Sequence, residues 1–332
     1  DAESRGVVST CSYEARRFGV HSAMPSAEAR RLCPQAIWTH GHFDRYREVS
    51  AQVMAILADE TPRVERVSID EAFIDITPGR FAPEDPLFVA RRISDRVAAL
   101  GVTCSIGVGC NKTVAKIASE RDKPFGLTIV RPGTEQRFLA ALPVSAMSGI
   151  GRSAEERLRR MRIYTLGELS RAPESTLASI FGVNGERMRQ RALGLEISEV
   201  TSLDEEREVK SVSNERTFAK DLTEREDIEA AIALLGESVG RRLRRQGLTG
   251  GTVTLKLKYS YGSGRTAQRR LPHPTDDENI FVAVALELLD NIWQEGMHVR
   301  LAGIGMSDFN HQGGIQTDLF CEVDDRGAQS SD

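Results

Sequence analysis

Asp70 and Glu71 are adjacent carboxylates inside an otherwise apolar run, Val67-Ser68-Ile69-Asp70-Glu71-Ala72-Phe73-Ile74-Asp75-Ile76. Val67, Ile69, Phe73, Ile74 and Ile76 are strand formers, so Val64 to Ile76 reads as a β-hairpin or a strand–turn–strand, a setting from which acidic residues are normally depleted. Neighbours along a strand face opposite sides, so these two acids can converge only near a strand end or turn. Carboxylates grouped there point to a hard divalent cation with oxygen ligands, such as magnesium. An acidic hairpin tip without a ligand is the plainer alternative at this stage. A second group with chemical potential is Thr10, Tyr13 and Arg16. Cys11 to Gly19 reads as a short helix, capped by Thr10 or Ser12 and stopped by Gly19. A hydroxyl, a tyrosine and an arginine at a helix start could bind phosphate, whereas a solvated helix with surface charge is the plainer reading. Gly109 to Ser119 is a turn into a helix with two lysines. It lacks the glycine and Gly-Lys-Ser/Thr spacing of a P-loop. His40 and His42 read as loop residues rather than metal ligands.

The elements that must position these groups alternate. The chain has 332 residues, enough for two or more domains, with 28% charged residues and a net charge of −4. No apolar run is long enough to span a membrane and residues 1–20 contain no signal-peptide core. The five cysteines are odd in number and scattered without Cys-x-x-Cys spacing, which favours a reducing cytoplasm over a disulfide framework or a zinc site. Gly6 to Thr10 reads as a buried strand, Pro25 to Cys33 as a helix, Phe43 to Leu57 and Pro86 to Leu100 as amphipathic helices, and Val102–Val108 and Leu127–Val130 as strands. Strands interleaved with helices make an α+β or mixed sheet. From Leu142 to about Leu195 the pattern changes to short helices and turns. Ser148-Gly149-Ile150-Gly151 precedes one helix, and Thr165 with Glu168 forms a capping box for the next. This is a helix-hairpin-helix pattern, whose open N–H groups can hold a DNA phosphate without reading sequence. Phe181 to Gly185 is a weaker second copy.

Glu196 to Val209 is polar and aperiodic, a candidate linker. Beyond it the order is β-α-β-β-α-β, with capping boxes expected at Thr223–Glu226 and Thr275–Glu278. The stretch from Lys210 to Arg270 is basic. Lys256 and Lys258 share one face of a strand, where they could track a phosphate backbone or simply be solvated. In the polar tail, Leu319 and Phe320 within Gln316 to Phe320 could anchor a docking peptide.

Taken in order and spacing, Ser68-Ile69-Asp70-Glu71-Ala72-Phe73, Cys11 to Arg16, Lys116 to Ser119 with Lys123-Pro124, Gly149-Ile150-Gly151 and Ser211 to Phe218 resemble the Y-family DNA polymerases, above all their bacterial members. The resemblance covers nearly the whole chain. It implies an α+β, multidomain right-hand polymerase: fingers over 1–45, palm over 46–142, a helix-hairpin-helix thumb over 143–200, a linker over 201–210, a βαββαβ little finger over 211–310, and a disordered tail over 311–332. It implies error-prone, template-directed DNA synthesis across damaged template, using two magnesium ions, primer-template DNA and deoxynucleoside triphosphates. Asp70 would be a metal ligand, and Glu71 would help hold the catalytic metal and the primer 3′ end. Thr10, Tyr13, Arg16 and Lys123 would bind the triphosphate, and Ser9 would lie over the nascent base pair. Gly149, Gly151, Arg216, Lys256 and Lys258 would contact DNA. Gln316, Leu319 and Phe320 would bind the sliding clamp. A cytoplasmic, nucleoid-associated bacterial monomer with no membrane contact is expected.

Two departures stand against the pattern. Phe125 occupies the position after Lys-Pro where asparagine is usual. The family's first palm strand, with a further metal-binding aspartate and an aromatic steric gate, would lie before Asp1, so the chain as given is expected to bind DNA and polymerise little. The competing reading is a non-catalytic DNA- and clamp-binding scaffold. Another palm-fold nucleotidyl transferase, such as a cyclase, fits the thumb and little finger poorly.

Overall fold

The computed structural model describes residues 5–80, 84–203, 205, 208–260 and 262–309. The chain divides into two compact units, one comprising Asp1–Ala36 with Arg207–Asp332 and the other Ile37–Glu206. The tail peptide Gln316 to Phe320 lies outside the described residues.

The front of the first unit holds two short helices, α1 (Tyr13–Arg16) and α2 (Ser26–Leu32), around a small core of Val8, Val20, Met24, Ala29 and Cys33. The strand expected over Gly6 to Thr10 does not form. Val7 makes an isolated bridge to Pro25, and Val8 exchanges backbone bonds with Met24 and Ala23 at 2.9 and 2.8 Å. Its partner is a single irregular segment rather than a strand, so the β-branched run has no ladder to extend along.

The second unit begins with α3 (Phe43–Glu60), followed by the hairpin β1 (Val64–Arg66) and β2 (Ala72–Ile74), then α4 (Pro86–Ala99), β3 (Ile106–Val108), α5 (Lys112–Arg121) and β4 (Leu127–Ile129). β1 and β2 pair antiparallel and β3 and β4 pair parallel. Ile56 of α3 packs with Val89, Ile93 and Val97 of α4, and Ile74 and Ile106 lie against them. The strand expected from Val102 is paired only over its last three residues. There it lies so close to α5 that a Cβ on Gly107 would stand 2.0 Å from the Ala115 carbonyl oxygen. Short helices complete the unit: α6 (Glu135–Ala140), α7 (Arg152–Arg160), α8 (Leu166–Arg171), α9 (Glu174–Phe181) and α10 (Gly185–Leu193). The Thr165–Glu168 capping box forms as expected. One core runs from Val114 and Ile117 of α5 through Leu139, Leu158 and Leu169 to Ala192 of α10, so the helices after residue 142 share their interior with α5.

Returning to the first unit, β5 (Ser211–Leu222), α11 (Arg225–Gln246), β6 (Gly250–Tyr259), β7 (Gly264–Thr275), α12 (Glu278–Ile292) and β8 (Val299–Phe309) follow the expected βαββαβ order. They build a four-stranded antiparallel sheet in the order β5-β8-β6-β7. Ile228, Ile232, Val239 and Leu243 of α11 and Phe281 and Leu289 of α12 pack on Val253, Leu255 and Leu257, leaving the opposite sheet face open. Alternate residues of β6 are buried as period-2 patterning requires. The Thr223–Glu226 capping box does not form, because β5 runs on to Leu222 and the Thr223 hydroxyl turns to the Glu224 carboxylate at 3.1 Å. At α12 the cap is Asp277, which accepts from the Asn279 amide at 2.9 Å.

Phe125 has a positive φ of 63° and is 64% exposed. A left-handed conformation costs an L-residue roughly 1–2 kcal/mol, and asparagine tolerates it best after glycine. This backbone demand accounts for the asparagine usual in the resemblance. Phe125→Asn is therefore expected to raise the urea-unfolding free energy by about 1 kcal/mol. An unchanged or lower midpoint would show that the ring earns its place through contacts.

Candidate active site and nucleic-acid interface

The carboxylate pair sits at the turn of the β1–β2 hairpin. Register places Arg66 opposite Ala72, and the amides of Val67 and Ser68 both donate to the Glu71 carbonyl at 2.9 and 3.2 Å. The turn is clamped from below. The Ser50 hydroxyl of α3 donates to the Ile69 carbonyl, while Arg66 donates to Ser50 Oγ at 3.2 Å and to the Ser68 carbonyl at 3.0 Å. The Ser68 hydroxyl donates to Asp70 at 2.6 Å. Asp70 and Glu71 are both exposed and lie in the turn between β1 and β2, where the strand alternation that would set adjacent acids on opposite faces does not apply.

Opposite charge reaches this tip from α5. Lys116 donates to Glu71 and, at 3.0 Å, to Glu120; Lys123 donates to the same Glu120 oxygen at 2.8 Å. The row Glu71–Lys116–Glu120–Lys123 thus brings the expected triphosphate lysine to the carboxylates through two residues that sequence reasoning assigned no role. Their signal was present in the i,i+4 spacing of Lys116 and Glu120 and the i,i+3 spacing of Glu120 and Lys123. Burial works to lower the Lys116 ammonium, but its bonds to Glu71 and Glu120 outweigh this and hold it above the ordinary lysine value. Burial likewise works to raise Glu120, and the bonds from Lys123 and Lys116 overcome it and hold the carboxyl below the ordinary value.

A cleft of about 260 Å³ opens beside Glu71, lined by Val67, Phe73, Lys112, Lys116, Arg191 and Glu196 among others. Glu196, the first residue of the candidate linker, is in fact anchored: its side chain is 9% exposed and accepts from the Thr113 amide at 3.1 Å and hydroxyl at 2.5 Å. No three His, Cys, Asp or Glu side chains converge on one point among the described residues. Two exposed neighbouring carboxylates nevertheless fit magnesium, which commonly takes one or two protein carboxylates and completes its shell with water and substrate phosphate.

Ser9, Thr10, Tyr13 and Arg16 are brought together in the first unit, all exposed on one short segment. Ser12, not Thr10, caps α1, accepting from the Ala15 amide at 3.4 Å. The Arg16 guanidinium lies over the Tyr13 ring, 5.6 Å from its centroid.

Two further surfaces bear the expected DNA contacts. In the second unit, Gly149 takes a φ of 95° and Gly151 caps α7 without any side-chain cap, so the first amides of α7 have no side-chain acceptor there. On the open face of the four-stranded sheet, Glu215, Gly303, Lys256 and Thr266 form one cross-strand row, and Ser213, Gly305, Thr254 and Gln268 the next. The glycines floor a shallow trough of about 320 Å³; a Cβ on Gly303 would come within 2.8 Å of Glu215 Cβ. Lys256 and Lys258 do share this face, but Lys256 is paired with Glu215 at 2.7 Å. Arg216 pairs with Ala302 in register and belongs by alternation to the opposite face, so it does not join the two lysines.

Residues 1–120 match the impB/mucB/samB family and residues 209–319 match the C-terminal domain of that family. The chain is 40% identical to DNA polymerase IV of Lactococcus lactis subsp. cremoris over 310 residues, covering 93% of this chain and 84% of that protein. It is 39% identical to DNA polymerase IV of Streptococcus pneumoniae, covering 92% and 86%. Among solved structures, a Y-family DNA polymerase chimera of Dbh and Dpo4 matches with a TM-score of 0.80 at 24% identity, over 92% of this chain and 89% of that one. An insertion ternary complex of Dbh DNA polymerase matches with a TM-score of 0.58 at 24% identity, over 91% and 87%. At this identity the structural likeness speaks to fold.

Glu120→Gln should destabilise the protein by about 0.5 kcal/mol at pH 7, a small figure because the pair is solvent-screened. Glu120 is held below its ordinary value in the folded state, so its contribution is present above the unfolded value and is lost as pH falls through the folded one. Urea midpoints of variant and parent should therefore converge in acid. A gap that persists undiminished there would assign the loss to packing instead.

Proposed function

The chain belongs to the Y-family of DNA polymerases, and we propose that it carries out template-directed DNA synthesis, adding deoxynucleotides to a primer with two magnesium ions. The observation that carries this reading is the exposed Asp70–Glu71 pair on a clamped hairpin tip, with Lys123 tied to it through Glu120 and Lys116. Phosphoryl transfer asks the protein for positioning and charge neutralisation rather than covalent chemistry. Bound metal would supply Lewis-acid stabilisation of the developing charge. Asp70 and Glu71 would hold it, and Glu71 would also orient the primer 3′ end. Thr10, Tyr13, Arg16 and Lys123 bind the triphosphate, with Ser9 over the nascent pair. Residues 46–142 act as palm, 143–200 as thumb and 211–310 as little finger, the thumb and open sheet face tracking DNA. An open site that accepts damaged template and tolerates errors is the reading the family resemblance supports. Gln316, Leu319 and Phe320 serve as the sliding-clamp peptide on sequence grounds alone. Among the described residues no helix is long and apolar enough to cross a membrane.

The test is single-nucleotide primer extension with magnesium. Glu71→Gln or Asp70→Asn should lower the rate by about a hundredfold or more and leave DNA affinity within about twofold. Tight DNA binding without extension, both by the chain as given and by one carrying a first palm strand ahead of residue 1, would replace the polymerase with the scaffold.

The two sheet lysines should differ. A cation that neutralises one phosphate contributes about 0.9 to the slope of log K against log salt. Lys258→Ala should remove close to that amount, and Lys256→Ala less, because Glu215 already neutralises Lys256. Equal slopes in parent and both variants would reject this face as the DNA track.

A further inference from the structure

We propose that Arg191 is a positioning residue that sets the helix-hairpin-helix turn against the carboxylate hairpin, acting through the first turn of α5. The proposal rests on the polymerase reading and adds to it a residue of no direct contact with DNA or metal.

Arg191 lies on α10 with its side chain only 16% exposed. Its Nη1 donates to the Ser148 carbonyl at 2.8 Å, and its Nε donates to the Thr113 hydroxyl at 2.8 Å. Glu196 completes the knot, 3.6 Å from Arg191 Nε and bonded to both the amide and hydroxyl of Thr113. Asn111, which caps α5 through the Val114 amide at 3.0 Å, also donates to the Gly194 carbonyl just past α10 at 2.7 Å. The first turn of α5 is therefore fastened to the end of α10.

The same helix grips the hairpin. Lys112 donates to Glu65 on β1, and Lys116 to Glu71 at the tip. At the other end, the Ser148 carbonyl precedes Gly149, where a Cβ would meet Arg191 Nη1 at 3.5 Å. A guanidinium forked between two acceptors fixes direction as well as distance. The neighbouring Arg187, by contrast, is 68% exposed. The route from turn to carboxylate is thus Ser148, Arg191, Thr113, α5, Lys116, Glu71, each step a named bond or one rigid helix.

The test uses Arg191→Gln, Arg191→Lys and Thr113→Val in the full chain, the last removing the hydroxyl shared by Arg191 and Glu196. Under saturating DNA and nucleotide, each should slow single-turnover extension about tenfold, with DNA affinity within about twofold and the salt slope unchanged. The Gln/Val double variant should fall no further than either single one. Amide exchange should quicken at Ile150 and also at Val67 and Ser68. That readout needs no turnover, so exchange decides the latch even where the parent extends no primer, and failure of the latch is distinguishable from failure of the polymerase reading. Three results would overturn the proposal: parent-like rates in Arg191→Lys, a salt slope reduced by about 0.9 as for a phosphate contact, or faster exchange confined to the turn.

Discussion

Two carboxylates on adjacent residues at the end of a hairpin are an electrostatic problem before they are a site. Like charges repel, although two that water screens do so by only about 1 kcal/mol at 4 Å. A ribbon of two three-residue strands has little of its own with which to resist, since isolated hairpins are marginal in water. The Lys116–Glu71 ion pair is the contact on which the arrangement depends, because it brings opposite charge to the tip from a helix anchored in the core. Ser68 answers Asp70 locally, and Ser50 and Arg66 fix the backbone beneath both. The tip can stay acidic and exposed because its neighbours, not its own strands, hold it.

That requirement explains the division of labour on α5. Val114, Ile117 and Ala118 are buried and join the core shared with the helices beyond residue 142. The polar positions Lys112, Lys116 and Glu120 reach the hairpin and the Lys123 loop. The close approach of β3, possible only because residue 107 is glycine, fixes the helix along its length. An element held on one side by apolar packing can present charge on the other with little freedom, which is what chemistry by positioning demands.

Much of this was legible in sequence, and the limit of legibility has a physical form. Local devices were readable: the hairpin from apolar residues interrupted by acids, the Thr165–Glu168 box from four letters, the βαββαβ order from changes of period. Contacts across long sequence separations were not. Lys116 meets Glu71 at a separation of 45 residues and Lys256 meets Glu215 at 41, and no local pattern encodes either. Glu196 misled for the same reason, since a polar residue in an aperiodic stretch looks like linker until its distant partner Thr113 is known. The capping box at Thr223 failed because a strand long enough to pair with β8 consumed the residues before it. At Phe125 the missing datum was a backbone angle, which a side chain ill-suited to it cannot announce.

The pairing of cations bears on how such a chain would hold DNA while carrying a net charge of −4. Lys112, Lys116, Lys256 and Arg244 are each committed to a carboxylate within the protein. A committed cation releases little counterion on binding, and counterion release drives most nonspecific affinity. Grip would then rest on cations not so committed, such as Lys258, on the uncapped amides that open α7, and on the fit of a glycine-floored trough. Amides and shape recognise a backbone without regard to sequence and without the long reach of net charge. Recognition by amides and shape asks for no strongly basic surface, and the negative overall charge is therefore no argument against nucleic acid.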